Sequence, residues 1–520
     1  MAEDSLRPKN VVFHWIASCL LSAVILIHLG LADLGNWLAD EYDDFGRLAR
    51  DGWAFLWDRL KWSPRPLSEL IFCAYGWVVN HSHRPLIGTF LALIWAVFIM
   101  AGLLTFWHLR RERREEELWP GLLVALALMA LFVTGAGHTI WVFYWPAAVV
   151  AYLPTLAATL LLFLQVASGR LSTSSSRLVC FCCLIVATCS SETGATFVLS
   201  YGLVQTIQWF FAAFQKCRDR SEKAVMWWLV PTLISVVVLM VVRLNRYYVT
   251  ELPGVAVGPT KGHPLTSLVV GTQELLVEVL GRRGLSHGWH GLGSRLPFEL
   301  LLALGVGLRR PRNGRAPRGW TGQMVGVIAA LWLASLFTIA AANLHFGTVC
   351  CDQQETVRRC WILLCIAGLA MLLSARTGDG HRLRYRASNV LADVLLCSAV
   401  MFSWHIKPVL RAYGMSGAVR QASKQNFQAG FRANDKQMVF LLLPQTFVAQ
   451  PQIMPGTYTL SSESTDARYI LTFFNKEKMV ACSPADRCGI GISQGTIPDD
   501  RQVTKAQSKC EYKQNDQRAW

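Results

Sequence analysis

A series of long apolar runs constrains this chain more than any other feature. They lie near residues 11–32, 86–107, 119–137, 146–168, 178–191, 195–215, 224–242, 288–308, 322–343, 359–375 and 389–406. Several are about 17 to 25 residues long, the length at which a helix crosses hydrocarbon. A lipid-facing segment must satisfy its own backbone polar groups, so such runs predict helices. The expected fold class is an all-α polytopic membrane protein of about eleven transmembrane helices. Composition agrees: 53% of the 520 residues are hydrophobic and 16% are charged, against roughly 25% charged in soluble chains. The first run, Val11 to Ala32, is too long for a typical signal-peptide core. No small-residue cleavage site follows it, which predicts a retained helix.

The net charge of +16 could suggest nucleic acid. The Lys and Arg instead cluster in short connections between apolar runs, so membrane topology accounts for them and no nucleic-acid partner is expected. "HLRRERR" (108–114), "KCRDR" (216–220), "RRPRNGRAPR" (309–318) and "HRLRYR" (381–386) fall on one side, with the N-terminus and "GRLSTSSSR" (169–177). The positive-inside rule makes that side cytoplasmic. Keeping these clusters together requires an odd number of crossings between 243 and 308. "PLTSLVVGTQELLVEVLG" (264–281), with Glu274 and Glu278 one turn apart, therefore reads as a surface helix or a re-entrant segment.

The unusual polar sequences then converge on the outer face, where a site is expected. In "LADEYDDFGRLARDGW" (38–53), Asp40, Glu41, Asp43 and Asp44 lie within five residues, flanked by Tyr42 and Phe45. Carboxylates there can act as a general base on a hydroxyl or bind a divalent cation. They can also simply balance Arg47, Arg50 and Arg59. Arg65 sits between two prolines in "WSPRPLSE", presented from a restrained backbone and suited to holding a phosphate, or to plain interfacial anchoring. "GHTIWVFYWP" (137–146) packs aromatics from Trp141 to Trp145, as an interfacial belt or as a wall for a sugar ring. Glu192 in "SSETGA" lies between two apolar runs with almost no connection, where a carboxylate is costly without partners. Arg358 and Arg359 open an apolar run at the outer face, against the charge rule, which favours a lipid-phosphate clamp over anchoring.

Other chemistry is excluded by pattern. The chain has no P-loop, no GxGxxG fingerprint opening a helix, no GxSxG elbow and no HExxH. It shows no internal repeat and no matching pair of broken helices, which weighs against a secondary transporter.

Taken together, the first run, the acidic "DEYDDFGRLARDGW", the Arg in "WSPRPLSELIF", the aromatic "IWVFYWPAAVVAYLP" and Glu192 resemble the multispanning GT-C type glycosyltransferases of bacteria. The likeness covers roughly residues 10–200 and is architectural from 200 to 406. It implies transfer of a sugar, with inversion, from a polyprenyl-phosphate-linked donor to a cell-surface glycan or lipid acceptor. The place would be the outer face of the inner membrane. Asp43 or Asp44 would be the catalytic base. Asp40, Arg65, Trp141, Trp145, Glu192, Arg358 and Arg359 would bind substrate, and a divalent cation (Mg or Mn) could assist. The alternatives are a transporter or lipid flippase, which needs ionisable residues inside spans such as Asp393, and a surface polysaccharide polymerase or ligase.

The polar tail, 407–520, reads as a small α/β periplasmic domain. "QMVFLLLP" (437–444) and "GTYTLSS" (456–462) have strand patterns, and "STDARYILTFFNKEKMVAC" mixes a helix and a strand. Cys482, Cys488 and Cys510 predict one disulfide and one free thiol in an oxidising periplasm.

Overall fold

The structure, a computed structural model, describes residues 7–35, 37, 39–111, 115–137, 140–169, 171, 173–214, 227–246, 262–280, 295–309, 319–347, 352–376, 382–432, 436–441, 465–482 and 489–493. Each of the apolar runs contains a helix among the described residues. The bundle consists of α1 (Arg7–Gly30), α5 (Ile87–Arg111), α6 (Glu115–Thr134), α8 (Pro146–Ala167), α9 (Ser174–Ser190), α10 (Glu192–Phe214), α11 (Leu229–Arg246), α13 (Leu296–Gly307), α14 (Trp320–Phe346), α15 (Asp352–Arg376) and α16 (Arg382–Ser403). Among the described residues, five helical stretches are long and apolar enough to cross a membrane: Val12–Leu34, Ile87–Leu104, Pro146–Ala167, Trp320–His345 and Gln353–Ala375. The others in the bundle are shorter or less uniformly apolar.

Helix α8 is the axis of the bundle. It is apolar all round, as a helix enclosed on every side must be, and 94% of its span is buried against 44% of that of α1. It packs against α5, α9, α14 and α15. Pro154 inside it has no N–H to give the carbonyl one turn back. That carbonyl, Val150 O, lies 2.9 Å from the Ser68 hydroxyl, and Ser190 O at the end of α9 lies 2.5 Å from the same oxygen. The single Ser68 proton thus lies within reach of two carbonyls that helical bonding leaves open, and bonds one of them at a time.

Contacts sort the helix ends into two groups. Trp320 Nε1 donates to Ala167 O at 3.2 Å, and Gln208 Nε2 to Gly322 O at 2.8 Å. His14 Nδ1 lies 2.5 Å from Asp393, which also pairs with Arg309. These contacts gather, at one end, the helix termini that flank the basic clusters. At the opposite end, the segment expected as a long outer connection, 33–85, is helical. It forms α2 (Ala39–Asp51), α3 (Ala54–Trp62) and α4 (Pro66–Ser82), and we call this the capped end. Helix α12 (Pro264–Leu280) packs along α14, with Leu275 against Ile339 and Ile362. Gly262 N–H bonds Leu344 O near the end of α14, and Glu278 bonds Arg358 near the start of α15. Both of its ends thus contact residues near the capped end.

The tail corrects the expectation of a separate α/β domain. It continues as a 25-residue helix, α17 (Ile406–Gly430), followed by β1 (Gln437–Leu441), α18 (Thr465–Phe474), β2 (Lys478–Cys482) and β3 (Gly489–Ser493). β1 pairs parallel with β2, and β2 antiparallel with β3. The sheet and α18 do not form a core apart from the bundle. Phe427 and Phe473 instead pack edge-on against Trp37, Phe474 packs at a tilt against Tyr42, and the tail shares one continuous core with the bundle. The strand expected at 456–462, Cys488, Cys510 and the Cys482 side chain lie outside what is described.

Candidate functional site

The site is built on α2. Tyr42 packs toward Phe473 and Phe474 of the tail, Phe45 against Phe72 and Tyr75 of α4, and Leu48 against Phe55 of α3 and Cys73 of α4, so α2 is held between the tail and the two following helices. Asp43 pairs with Arg47 one turn on at 2.8 Å, and Arg47 is half-exposed, so this pair contributes little. Asp44 is buried, and Arg59 of α3 reaches it at 3.0 Å. The same guanidinium holds Glu69 of α4 at 2.9 Å through Nε. Arg59 therefore ties three helices together through two carboxylates.

Glu41 points the other way and is fully buried. Its Oε1 accepts the Ala147 N–H at 3.1 Å. Ala147 lies in the first turn of α8, whose N-cap residue, Trp145, supplies no side-chain acceptor. A carboxylate there satisfies an open N–H and lies at the positive end of the helix dipole.

Arg65 precedes Pro66, the first residue of α4, and its Nε donates to Glu192 Oε2 at 2.5 Å. Glu192 opens α10, so the pair joins two helix N-termini. Both partners are mostly buried. Burial opposes the Arg65 charge, but Glu192, helped by Tyr152 and Glu69, outweighs it and raises the guanidinium above its usual value. Arg59 is likewise raised: burial lowers it, and Asp44 and Glu69 more than compensate.

Electrostatics single out Asp44. Burial is the main cause that pushes its carboxyl up to about 7; Arg59 pulls it down, and Asp40, Glu69 and Asp43 push it further up. Asp40, exposed on the same side, is raised as well, first by loss of surrounding water and then by Asp43, against the pull of Arg59. Four carboxylates (Asp40, Asp44, Glu69, Glu192) thus share two arginines (Arg59, Arg65). A proton held near neutrality is the natural relief of that imbalance.

Arg358 and Arg359 belong to a second cluster, built on α12, α13 and α15. Arg358 is fully buried and clamps Glu278, with Nε at 3.0 Å and Nη2 at 2.5 Å. Its Nη1 has no hydrogen-bond partner. Arg359 pairs with Glu355 and donates to Ala136 O at 3.1 Å. The two side chains expected at the membrane surface are thus packed into the capped end. Trp145 is half-buried against the core, and the side chains of His138 and Trp141 lie outside what is described.

Sequence reading named Arg59 only as a charge the acidic stretch could balance, and it missed Glu69 as a site member and Glu278 as the partner of Arg358. Glu69 follows Arg65 at helical spacing, a usable signal. No sequence signal showed that Arg59 would join two carboxylates from two other helices. Among the described residues, no group of three or more His, Cys, Asp and Glu side chains is placed to hold a metal ion. Comparison with family models, with curated proteins and with solved structures finds no match to this chain.

Proposed function

We propose that this chain is a multispanning membrane enzyme that transfers a sugar, with inversion, from a polyprenyl-phosphate-linked donor to a glycan or lipid acceptor. In this reading the eleven bundle helices span a bacterial inner membrane. The N-terminus is cytoplasmic, and the capped end, with the tail, faces the periplasm.

The observation that carries the reading is Asp44, a buried carboxyl pushed up to about 7 beside Arg59. A general base works best when its pKa lies near the working pH. Asp44 takes the proton of the acceptor hydroxyl as that oxygen attacks the anomeric carbon. The bond to the lipid phosphate breaks, and the phosphate departs with its electron pair. Asp43, bound to Arg47 at the surface, is less suited to this role than Asp44. Arg65 and Arg359 are the cations nearest in kind to what the leaving phosphate needs. Each already has a carboxylate partner, so phosphate binding would exchange one anion for another. These roles are those of the chain's own side chains, and no step is routed through a metal.

Comparing surface glycans from cells carrying the native chain and Asp44→Asn tests the reading. A lost sugar-sized increment supports it, and shorter chains of unchanged composition point instead to a polymerase.

One observation favours a second reading, transport. Asp393, His14 and Arg309 form a buried charged group within the bundle, at the end opposite the cap. Ionisable residues inside a membrane bundle often mark a translocation path. Substrate flux into liposomes without product formation would support it.

A further inference from the structure

A second polar site lies at the capped end, between α1, the α7–α8 junction (α7 is Ile140–Phe143) and the α16–α17 junction. Tyr144 donates its hydroxyl proton to His28 O at 2.9 Å. The Tyr144 oxygen also lies 3.2 Å from His28 Nδ1. A phenol has one proton, already given to the carbonyl, so Nδ1 carries the hydrogen of that second bond. Neutral His28 then presents Nε2 as a bare acceptor.

His28 is 2% exposed, and Nε2 has no hydrogen-bond partner. The half-buried Trp404 faces it, with ring centroids 6.4 Å apart, and its indole Nε1–H has no partner either. Buried polar atoms without partners are costly, so two in facing rings point to a ligand group. The pair is one acceptor and one donor. A hydroxyl matches both, giving its proton to Nε2 and accepting from Nε1–H. A carboxylate or phosphate would meet the His28 lone pair with its own, and an ammonium would meet the indole N–H with another donor.

We infer that His28 and Trp404 form a binding site for a hydroxyl of a neutral sugar. The ligand class rests on the sugar-transfer reading. Like Asp44, the pair lies at the capped end, beside the α7–α8 junction that Glu41 of α2 holds through Ala147. Trp404 also offers an apolar ring face of the kind that stacks on a sugar.

The test is direct binding to the full chain, in lipid nanodiscs free of sugar detergents. The chain carries 5-fluorotryptophan, and the Trp404 ¹⁹F signal is assigned with Trp404→Phe. The probes are methyl glycosides of common hexoses and pentoses. The expected result is a saturable shift of the Trp404 signal by at least one glycoside, with affinity at least about tenfold weaker in His28→Phe. A signal unmoved by every glycoside, or moved equally in His28→Phe, overturns the inference and leaves solvent as the occupant. If His28→Phe does not fold, the glycoside-induced rise in thermal midpoint is compared between the native chain and Trp404→Phe. Loss of the rise supports the site and its retention overturns it. Because binding is read without turnover, this result is separable from the glycan comparison. Sugar transfer with an unmoved Trp404 signal sinks the inference alone.

Discussion

Glu41 Oε1 accepts the Ala147 N–H at 3.1 Å, so the acidic helix α2 caps the most enclosed helix of the bundle. Part of the negative charge after the first span is therefore structural. Glu41→Ala should destabilise the fold by about 2 kcal/mol, the range for losing a helix cap and leaving a buried donor open. Glu41→Gln, which keeps an acceptor oxygen, should cost about half as much. Denaturation in mild detergent, followed by helical circular dichroism, measures both.

Arg65 and Glu192 form one bridge between α4 and α10. Removing one partner strands a mostly buried charge. Arg65→Met is expected to cost about 2 kcal/mol, below the fully buried range because some water reaches the pair. The double variant Arg65→Met/Glu192→Gln should be more stable than Arg65→Met alone. A double-mutant cycle reads the coupling, and simple additivity would show that the pair carries no interaction.

For Arg358 and Glu278 the same logic applies with less water. Arg358→Met should cost about 3–5 kcal/mol, because Glu278 would remain buried without its partner. Adding Glu278→Leu should recover much of that loss. Proteolysis rates of the folded protein in nanodiscs report the difference. Equal sensitivity of the single and double variants would contradict the pairing.

Asp44 makes the site sensitive to pH. Its carboxyl is raised from an ordinary value of 3.8 to about 7, chiefly by burial. A raised acid favours the folded state while it is protonated. Its contribution is fully present below about pH 4 and is lost as pH rises through about 7. Native protein should therefore lose more stability than Asp44→Asn between about pH 5 and about pH 8. If Asp44 is the base, transfer should rise over the same interval. Difference infrared spectra should show a protonated carboxyl band in the native chain that vanishes across this interval and is missing in Asp44→Asn. A band identical in both would place the proton elsewhere.

The helices were legible in sequence because their signal is local: length, apolar content and the basic clusters between them. The reading of 264–281 as a surface helix or a re-entrant segment came from charge bookkeeping, and that segment is the helix α12. The pairing of the charges was not legible. Arg59 finds Asp44 and Glu69, and Arg358 finds Glu278, across separations set by packing rather than by spacing. The tail misled for a related reason. Its helix and strand patterns at 437–441 and 465–482 are real, but they read as a separate domain, whereas Phe473 and Phe474 pack on Trp37 and Tyr42, more than 400 residues earlier.

The central claim, that Asp44 is the base of a sugar transfer, is tested most directly by mass spectrometry of surface glycans from cells in which Asp44→Asn replaces the native residue. Membrane levels of the protein are checked in parallel. The account predicts a missing hexose-sized or pentose-sized increment with the variant present at native abundance. A glycan profile unchanged from that of native cells, at equal abundance, would contradict it.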